Sequence, residues 1–249
     1  MKISVITIAY NAAETIEDTI KSVLLQTFKN IQYIIVDGAS SDNTLQIVQK
    51  YKTQLHHIIS EPDKGVYDAM NKGLAHATGD IIAILNADDT YAHEEVLALV
   101  HQTFEQSGAD TCYGNIIYVN RNPPHKTTRT WIAGNYSKKA FLNGWMPPHP
   151  AFFAKRELYQ KFGNFNLKLK TSADYELMLR FLYKHHATTA YINNILVKMK
   201  VGGQSNASLK NRLRANKEDR MAWKINGLKP GKFTLAKKPL LKIFQFLKR

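Results

Sequence analysis

KISVITIAYNAAETIEDTIKSVLLQTFKNIQYIIVDGASSDNT, running from Lys2 to Thr44, decides the fold class. Lys2 to Ala9 is a β-branched apolar run, which reads as a strand. Asn11 and Glu14 have capping-box spacing and open a helix whose apolar positions are Ile16, Ile20, Val23 and Leu24. Tyr33 to Val36 is a second strand, and the turn-rich Asp37 to Thr44 leads into a helix carrying Leu45, Val48 and Tyr51. Strand, helix and strand in this succession predict βαβ units, hence an α/β fold with a mixed, mainly parallel sheet flanked by helices.

The pattern continues outward. His57 to Ile59 reads as a third strand, Val66 to Ala77 as a helix closed by Gly79, and Asp80 to Leu85 as a fourth strand stopping at Asn86 to Asp89, NADD. A helix from His93 to about Gln106 and a long strand from Thr111 to Asn120 follow. Between Arg121 and Pro150, prolines and glycines at 123, 124, 134, 144, 147, 148 and 150 break every period, which predicts a loop around a substrate. Beyond it the spacing predicts a strand at Ala151 to Ala154, a helix at Arg156 to Phe162, a helix at Ala173 to Tyr183 and a last strand at Ala190 to Met199. No internal repeat is present, which excludes solenoids.

Composition narrows the function classes. With 44% hydrophobic and 22% charged residues over 249 positions the chain has a buried core and is not disordered. Cys112 is the only cysteine, so disulfide scaffolds and zinc sites built from thiolate pairs are excluded, a reducing compartment is favoured, and Cys112 itself reads as packing. No run approaches the about 18 apolar residues of a membrane helix, and the start lacks the flanks of a signal peptide, so the expected location is cytoplasmic. The net charge of +14 is concentrated: Lys210 to Arg249 holds 13 basic and 2 acidic residues, or +11, leaving +3 for the rest. The chain therefore divides into a domain over 1–203 and a basic helical extension over 204–249. Leu240, Ile243, Phe244 and Leu247 stand at i, i+3, i+4 and i+7 among lysines, the pattern either of a helix packed on the body or of an in-plane anchor on an anionic membrane surface.

In an open parallel sheet, ligands bind beyond the carboxyl ends of the strands. Asp37, Asp88 and Asp89 all follow strands directly. A single aspartate there also serves as a turn or helix cap, but two adjacent carboxylates exceed what a cap requires, and their repulsion is relieved by a hard cation such as Mg²⁺ or Mn²⁺ shared with phosphate oxygens.

The ordered run TIAYNAAE…IIVDGASSDNT…EPDKGVYDAMNKG…IIAILNADD, continued by HPAFFAK and SADYELMLRFL, resembles the family 2 glycosyltransferases, enzymes of GT-A fold, and in its EPDKGVYDAMNKG wording the bacterial members that build O-antigen and other surface polysaccharides. The resemblance implies an inverting transfer from a nucleotide-sugar donor, a UDP-hexose or UDP-N-acetylhexosamine, to a hydroxyl of a polyprenyl-linked glycan at the cytoplasmic face of the inner membrane. Thr7, Ala9 and Tyr10 would line the nucleotide base, and Asp37 would accept a hydrogen bond from uracil. NADD stands where the family has its metal-binding DXD motif, so Asp88 would hold a divalent cation, Mn²⁺ or Mg²⁺, with Asn86 and Ala87 beside the donor; an amide at Asn86 removes one negative charge from that site. Asp174 aligns with the catalytic base that deprotonates the acceptor hydroxyl. Lys64 is a candidate for a donor phosphate or a merely solvated turn residue, and His149 is a candidate for orienting the acceptor or an idle loop residue. His185 and His186 are adjacent and do not share a helix face, which argues against a metal pair.

Two other readings are weaker. A nucleotide-sugar pyrophosphorylase carries a glycine-rich loop after the first strand, where this chain reads AYNAAE; the same absence excludes a dinucleotide fingerprint and a P-loop. A nucleic-acid-binding module accounts for the basic tail alone, since no recognised module is present and the body is nearly neutral, so no nucleic-acid partner is expected.

Overall fold

A computed structural model describes residues 1–121, 126–201, 209–232 and 234–235, and for 209–213 the backbone alone. β1 (Ile3–Ala9), β2 (Ile31–Asp37), β3 (His57–Ser60) and β4 (Ile81–Asn86) run parallel, as the apolar runs require. β5 (Asp89–Tyr91), β6 (Thr111–Val119), β7 (Thr127–Trp131), β8 (Phe152–Lys155) and β9 (Thr189–Lys200) complete one sheet in the order β3-β2-β1-β4-β8-β6-β9-β5, with β7 paired to β6. β8 lies antiparallel between β4 and β6, so the parallel half passes directly into a mixed half.

Successive side chains of β1 and β2 enter opposite cores, which is why the runs are apolar without alternation. Ile6, Ile8, Ile34 and Val36 pack beneath α3 (Val66–His76), α6 (Arg156–Phe162) and α7 (Ala173–Met178). Val5, Tyr33, Ile35 and Leu85 pack against α1 (Ile16–Leu24), α2 (Thr44–Gln49) and α4 (Val96–Ser107). Gly79 follows α3 where a Cβ would come within 2.6 Å of the Ser4 backbone nitrogen, so only glycine lets the chain enter β4 alongside β1.

Several local expectations are corrected. Asn11 does not cap α1; it sits at φ 48 with its amide oxygen accepting from the Ser41 N–H at 2.9 Å, and the helix begins at Ile16 without a side-chain cap. NADD does not lead straight into a helix, because Asp89–Tyr91 form β5 against β9, and α4 starts only at Val96. The expected loop from Arg121 to Pro150 contains β7 and α5 (Lys138–Leu142). The helix from Ala173 continues past α7 as a π-helical segment, Leu179–Lys184.

α8 (Leu209–Ile225) comes from the basic stretch beyond residue 203, yet its Ala222 and Trp223 are fully buried in the core shared with α3 and α7. Composition changes at that boundary; the core continues across it. Residues 202–208 and 236–249, including the apolar stripe from Leu240 to Leu247, lie outside the described residues. No helix among the described residues is long and apolar enough to cross a membrane.

Candidate active site

The register of the parallel strands brings the first group of expected residues level. Ala9 pairs with Asp37, and Ile8 with Asn86, so β2, β1 and β4 end side by side at one sheet edge. The turn after β4 is tied down twice, by the Ala87 N–H donating to the Ile8 carbonyl at 3.1 Å and by the Thr19 hydroxyl of α1 reaching the carbonyls of Ala87 and Asp89 at 3.0 and 2.7 Å. Asp37 is fully buried; it accepts from the Ser40 hydroxyl at 2.5 Å, the Ser40 N–H at 3.2 Å and the Ser60 hydroxyl at 2.7 Å. These bonds fix the carboxylate at the strand end while leaving acceptor capacity, since two carboxylate oxygens offer about four lone-pair sites. Gly38 lies between Asp63 and Tyr10, close enough that a Cβ would strike the Asp63 carboxylate at 2.3 Å, and the Tyr10 ring beside it is 61% exposed.

Within NADD the three polar residues have different environments. The Asn86 amide nitrogen donates to Asp89 Oδ2 at 2.9 Å, which leaves the amide oxygen of Asn86 for a ligand. Asp89 is buried, its Oδ1 has no hydrogen-bond partner among the described residues, and burial, followed by the charge of Asp88, holds its carboxyl well above the usual range. Asp88 is partly exposed, with an Arg121 guanidinium nitrogen 3.8 Å from Oδ2. Arg121 is in turn anchored through Nε to the Val201 carbonyl at 3.0 Å. Among the described residues no three His, Cys, Asp or Glu side chains converge as an ion site. Among the described residues, NADD offers a hard cation the Asp88 carboxylate and the Asn86 amide oxygen, a partial oxygen set that suits Mg²⁺ or Mn²⁺ when a diphosphate supplies the other ligands.

A second group forms around Asp174, in the first turn of α7. The Tyr67 hydroxyl, from the first turn of α3, donates to Asp174 Oδ1 at 2.8 Å, and His149 Nδ1 lies 3.4 Å from Oδ2. Burial first, then the charge of Asp174, pushes the Tyr67 phenol well above its ordinary value, so it remains a proton donor at neutral pH. Asp174 and His149 line a small hollow of about 20 Å³ with apolar walls that include Met70, Ile84, Phe152 and Met178. Ile84 lies two residues before Asn86 on β4, which links this hollow to the strand edge that carries the first group.

Ala9, Asp37, Asn86, Ala87 and Asp88 are thus brought to one edge with Tyr10 beside them, and His149 to Asp174. Thr7 is not at the edge surface; it is buried, with its hydroxyl 3.1 Å from the Tyr33 hydroxyl. Lys64 is exposed on the loop before α3, where its backbone N–H donates to Asp68 at 3.0 Å. Sequence reasoning missed Tyr67, Asp63 and Arg121. Tyr67 stood inside EPDKGVYDAMNKG, but at helical spacing it reads as core, and only the tertiary fold reveals the acid facing its hydroxyl.

The chain matches known proteins along most of its length. The model of Glycosyl transferase family 2 matches residues 4–167. A PGL/p-HBAD biosynthesis glycosyltransferase of Mycobacterium bovis is 30% identical over 208 residues, covering 82% of this chain and 78% of that protein. Among solved structures, S. aureus TarS in complex with UDP-GlcNAc superposes with a TM-score of 0.73 at 19% identity, covering 98% of this chain and 71% of that one. Mannosyltransferase PcManGT of Pyrobaculum calidifontis, in complex with GDP-Man and Mn²⁺, superposes with a TM-score of 0.70 at 18% identity, covering 96% and 69%. The fold is GT-A, and by the span of the family match from β1 past α6 the chain belongs to glycosyl transferase family 2.

Proposed function

We propose that this glycosyltransferase moves a hexosyl or N-acetylhexosaminyl group from a UDP-sugar, with inversion, to a hydroxyl of a polyprenyl-linked glycan in surface polysaccharide synthesis. The observation that carries the reading is the held state of Asp174: one oxygen takes a bond from Tyr67, the other faces His149, and both lie at a hollow adjoining the end of β4. A single carboxylate suffices for an inverting displacement, whereas a retaining hydrolase places two across the scissile bond.

On this reading Asp174 accepts the proton of the acceptor hydroxyl, the acceptor oxygen forms the bond to the anomeric carbon, and the bond to the nucleotide diphosphate breaks with its electron pair leaving on UDP. His149 orients the acceptor. Asp37 accepts from uracil, Ala9 and Tyr10 border the base, and Lys64 approaches the phosphates. Thr7, placed in the core, supports this wall from behind. Asp88 and the amide oxygen of Asn86 would hold a divalent cation, which when bound neutralises charge developing on the departing diphosphate. The UDP-GlcNAc complex of TarS and the Mn²⁺ complex of PcManGT support a nucleotide-sugar donor and a cation for this fold. Attachment to the cytoplasmic face of the inner membrane rests on the basic extension. Membership of a glycosyltransferase family removes the motive for the pyrophosphorylase and nucleic-acid readings.

The test begins with a screen of UDP- and GDP-sugars for thermal stabilisation, with and without Mn²⁺, and continues with nucleotide release from the stabilising donor. Asp174→Asn is expected to fold and bind UDP while turnover falls by a factor of about 10²–10⁴. Near-normal turnover of this variant sinks the base assignment.

A further inference from the structure

We propose that Glu218, on α8, is a positioning residue for Asp174: it holds from behind the turn that delivers the carboxylate to the site. The inference rests on the reading of Asp174 as the general base and extends the catalytic apparatus into the C-terminal helix.

The Glu218 side chain is buried, and one oxygen, Oε2, accepts three bonds. They come from the Lys170 N–H at 3.0 Å, the Thr171 N–H at 2.7 Å and the Thr171 hydroxyl at 2.8 Å. These donors lie three and four residues before Asp174, ahead of the first turn of α7, where no intrahelical acceptor exists for them. Bonds to an ionised acceptor are stronger and shorter than neutral ones, so one carboxylate replaces what the helix cannot supply. On the far side of Asp174 the end of the same helix and the residue just after it hold again. Trp223 Nε1 donates to the Tyr175 hydroxyl at 2.9 Å, and Asn226 Nδ2 donates to Glu176 Oε1 at 2.9 Å. Glu176 is itself fixed by Arg180 through two 3.0 Å bonds.

Asp174 is thus held in front by Tyr67, with His149 facing its other oxygen, while the backbone before it and the side chains of the two residues after it are held from behind by α8 and Asn226. If Glu218 is truncated, two backbone N–H groups and a hydroxyl lose their acceptor in a half-buried place, and the turn relaxes towards water or another partner. The acid then moves relative to the donor, and displacements of about 1 Å from changes remote from the chemistry cost on the order of 10²-fold in rate. Glutamine keeps an oxygen acceptor at the same reach, so it separates the bond from the bulk of the residue.

The experiment compares Glu218→Ala, Glu218→Gln and Thr171→Val in the full chain, measuring kcat and KM for nucleotide release, calorimetric affinity for UDP as the probe, and thermal midpoint. Expected is a fall in kcat of about 10–10²-fold for Glu218→Ala with UDP affinity unchanged, and recovery of most of the rate in Glu218→Gln. An unchanged kcat in folded Glu218→Ala overturns the proposal, as does a fall matched by an equal loss of UDP affinity, which marks general loosening. Should Glu218→Ala not fold, Thr171→Val decides, since it deletes one of the three bonds and keeps both backbone donors: a lower kcat at constant UDP affinity supports the clamp and an unchanged kcat overturns it. Asp174→Asn, assayed alongside, separates the two ideas. Inactive Asp174→Asn with fully active Glu218→Ala removes the positioning role alone, whereas active Asp174→Asn removes the base and the clamp's purpose together.

Discussion

Tyr67 and Asp174, 107 residues apart in the chain, meet through a 2.8 Å hydrogen bond from phenol to carboxylate. The bond joins the first turn of α3 to the first turn of α7 and fixes which oxygen of the acid remains towards His149. Tyr67→Phe removes the donor and keeps the ring that stacks on Phe165 at 5.7 Å, so folding should survive. The expected outcome is a fall in kcat of about tenfold or more, the scale of a hydrogen bond to a charged group, with UDP affinity unchanged by calorimetry. A kcat equal to that of the parent protein means that the phenol does not govern the acid.

The cation assignment predicts that Asp88→Ala weakens UDP binding chiefly when Mn²⁺ is present. Equal UDP affinity of the parent protein with and without chelator removes the ion role. Asn86→Asp gives a sharper outcome, because it replaces the donor that Asp89 Oδ2 accepts at 2.9 Å with a second carboxylate. Two carboxyl groups at that distance cannot both ionise without repulsion, and a hard cation relieves it. The variant should therefore melt below the parent protein in chelator and regain more of its midpoint than the parent when Mn²⁺ is added.

A pH dependence arises away from the site, at His56, whose Nδ1 accepts the Tyr33 N–H at 3.1 Å. Only neutral imidazole has that lone pair, and burial, then the charges of Lys2 and His57, lower its folded pKa below 6.5. Below that value the unfolded chain binds more protons than the native one, so this contribution to stability is complete above about 6.5 and is lost as pH falls through the folded pKa. Thermal midpoints of the parent protein should fall more between pH 7 and pH 5 than those of His56→Ala. Parallel pH profiles count against this role.

The parallel half of the fold was legible because β1, β2 and β4 are covered on both faces, and that burial writes itself as apolar runs. The strand ends then placed Asp37, Asn86 and Asp88 on one edge, as the sequence implied. What stayed hidden depends on partners far along the chain. Asp89–Tyr91 become a strand only because β9 is there to pair with them, and a left-handed backbone at Asn11 defeats its capping-box spacing. Glu218 carries no local signal either, since within a charged helix it looks like any solvated residue until the turn before Asp174 is found against it.

The last prediction concerns the segment after Leu235. Its apolar stripe, Leu240, Ile243, Phe244 and Leu247, lies beyond the described residues, but the chain leading to it is fixed: the Thr234 hydroxyl donates to the Leu142 carbonyl at 2.5 Å, and Leu235 packs on the main core. A cut after Leu235 keeps both of these contacts and the whole of α8. Basic residues near an anionic leaflet gain about 1 kcal/mol each, and an apolar stripe adds buried area in the headgroup boundary. Deletion of residues 236–249 is expected to release the protein from anionic liposomes in sedimentation assays while UDP binding and thermal midpoint stay unchanged. Unchanged sedimentation moves the attachment to the outer face of α8, where Arg214, Lys217, Arg220 and Lys224 are exposed beside Met221 and Ile225. A truncated chain that no longer folds shows instead that the stripe packs on the body, because only burial against the core makes a terminal helix necessary for folding.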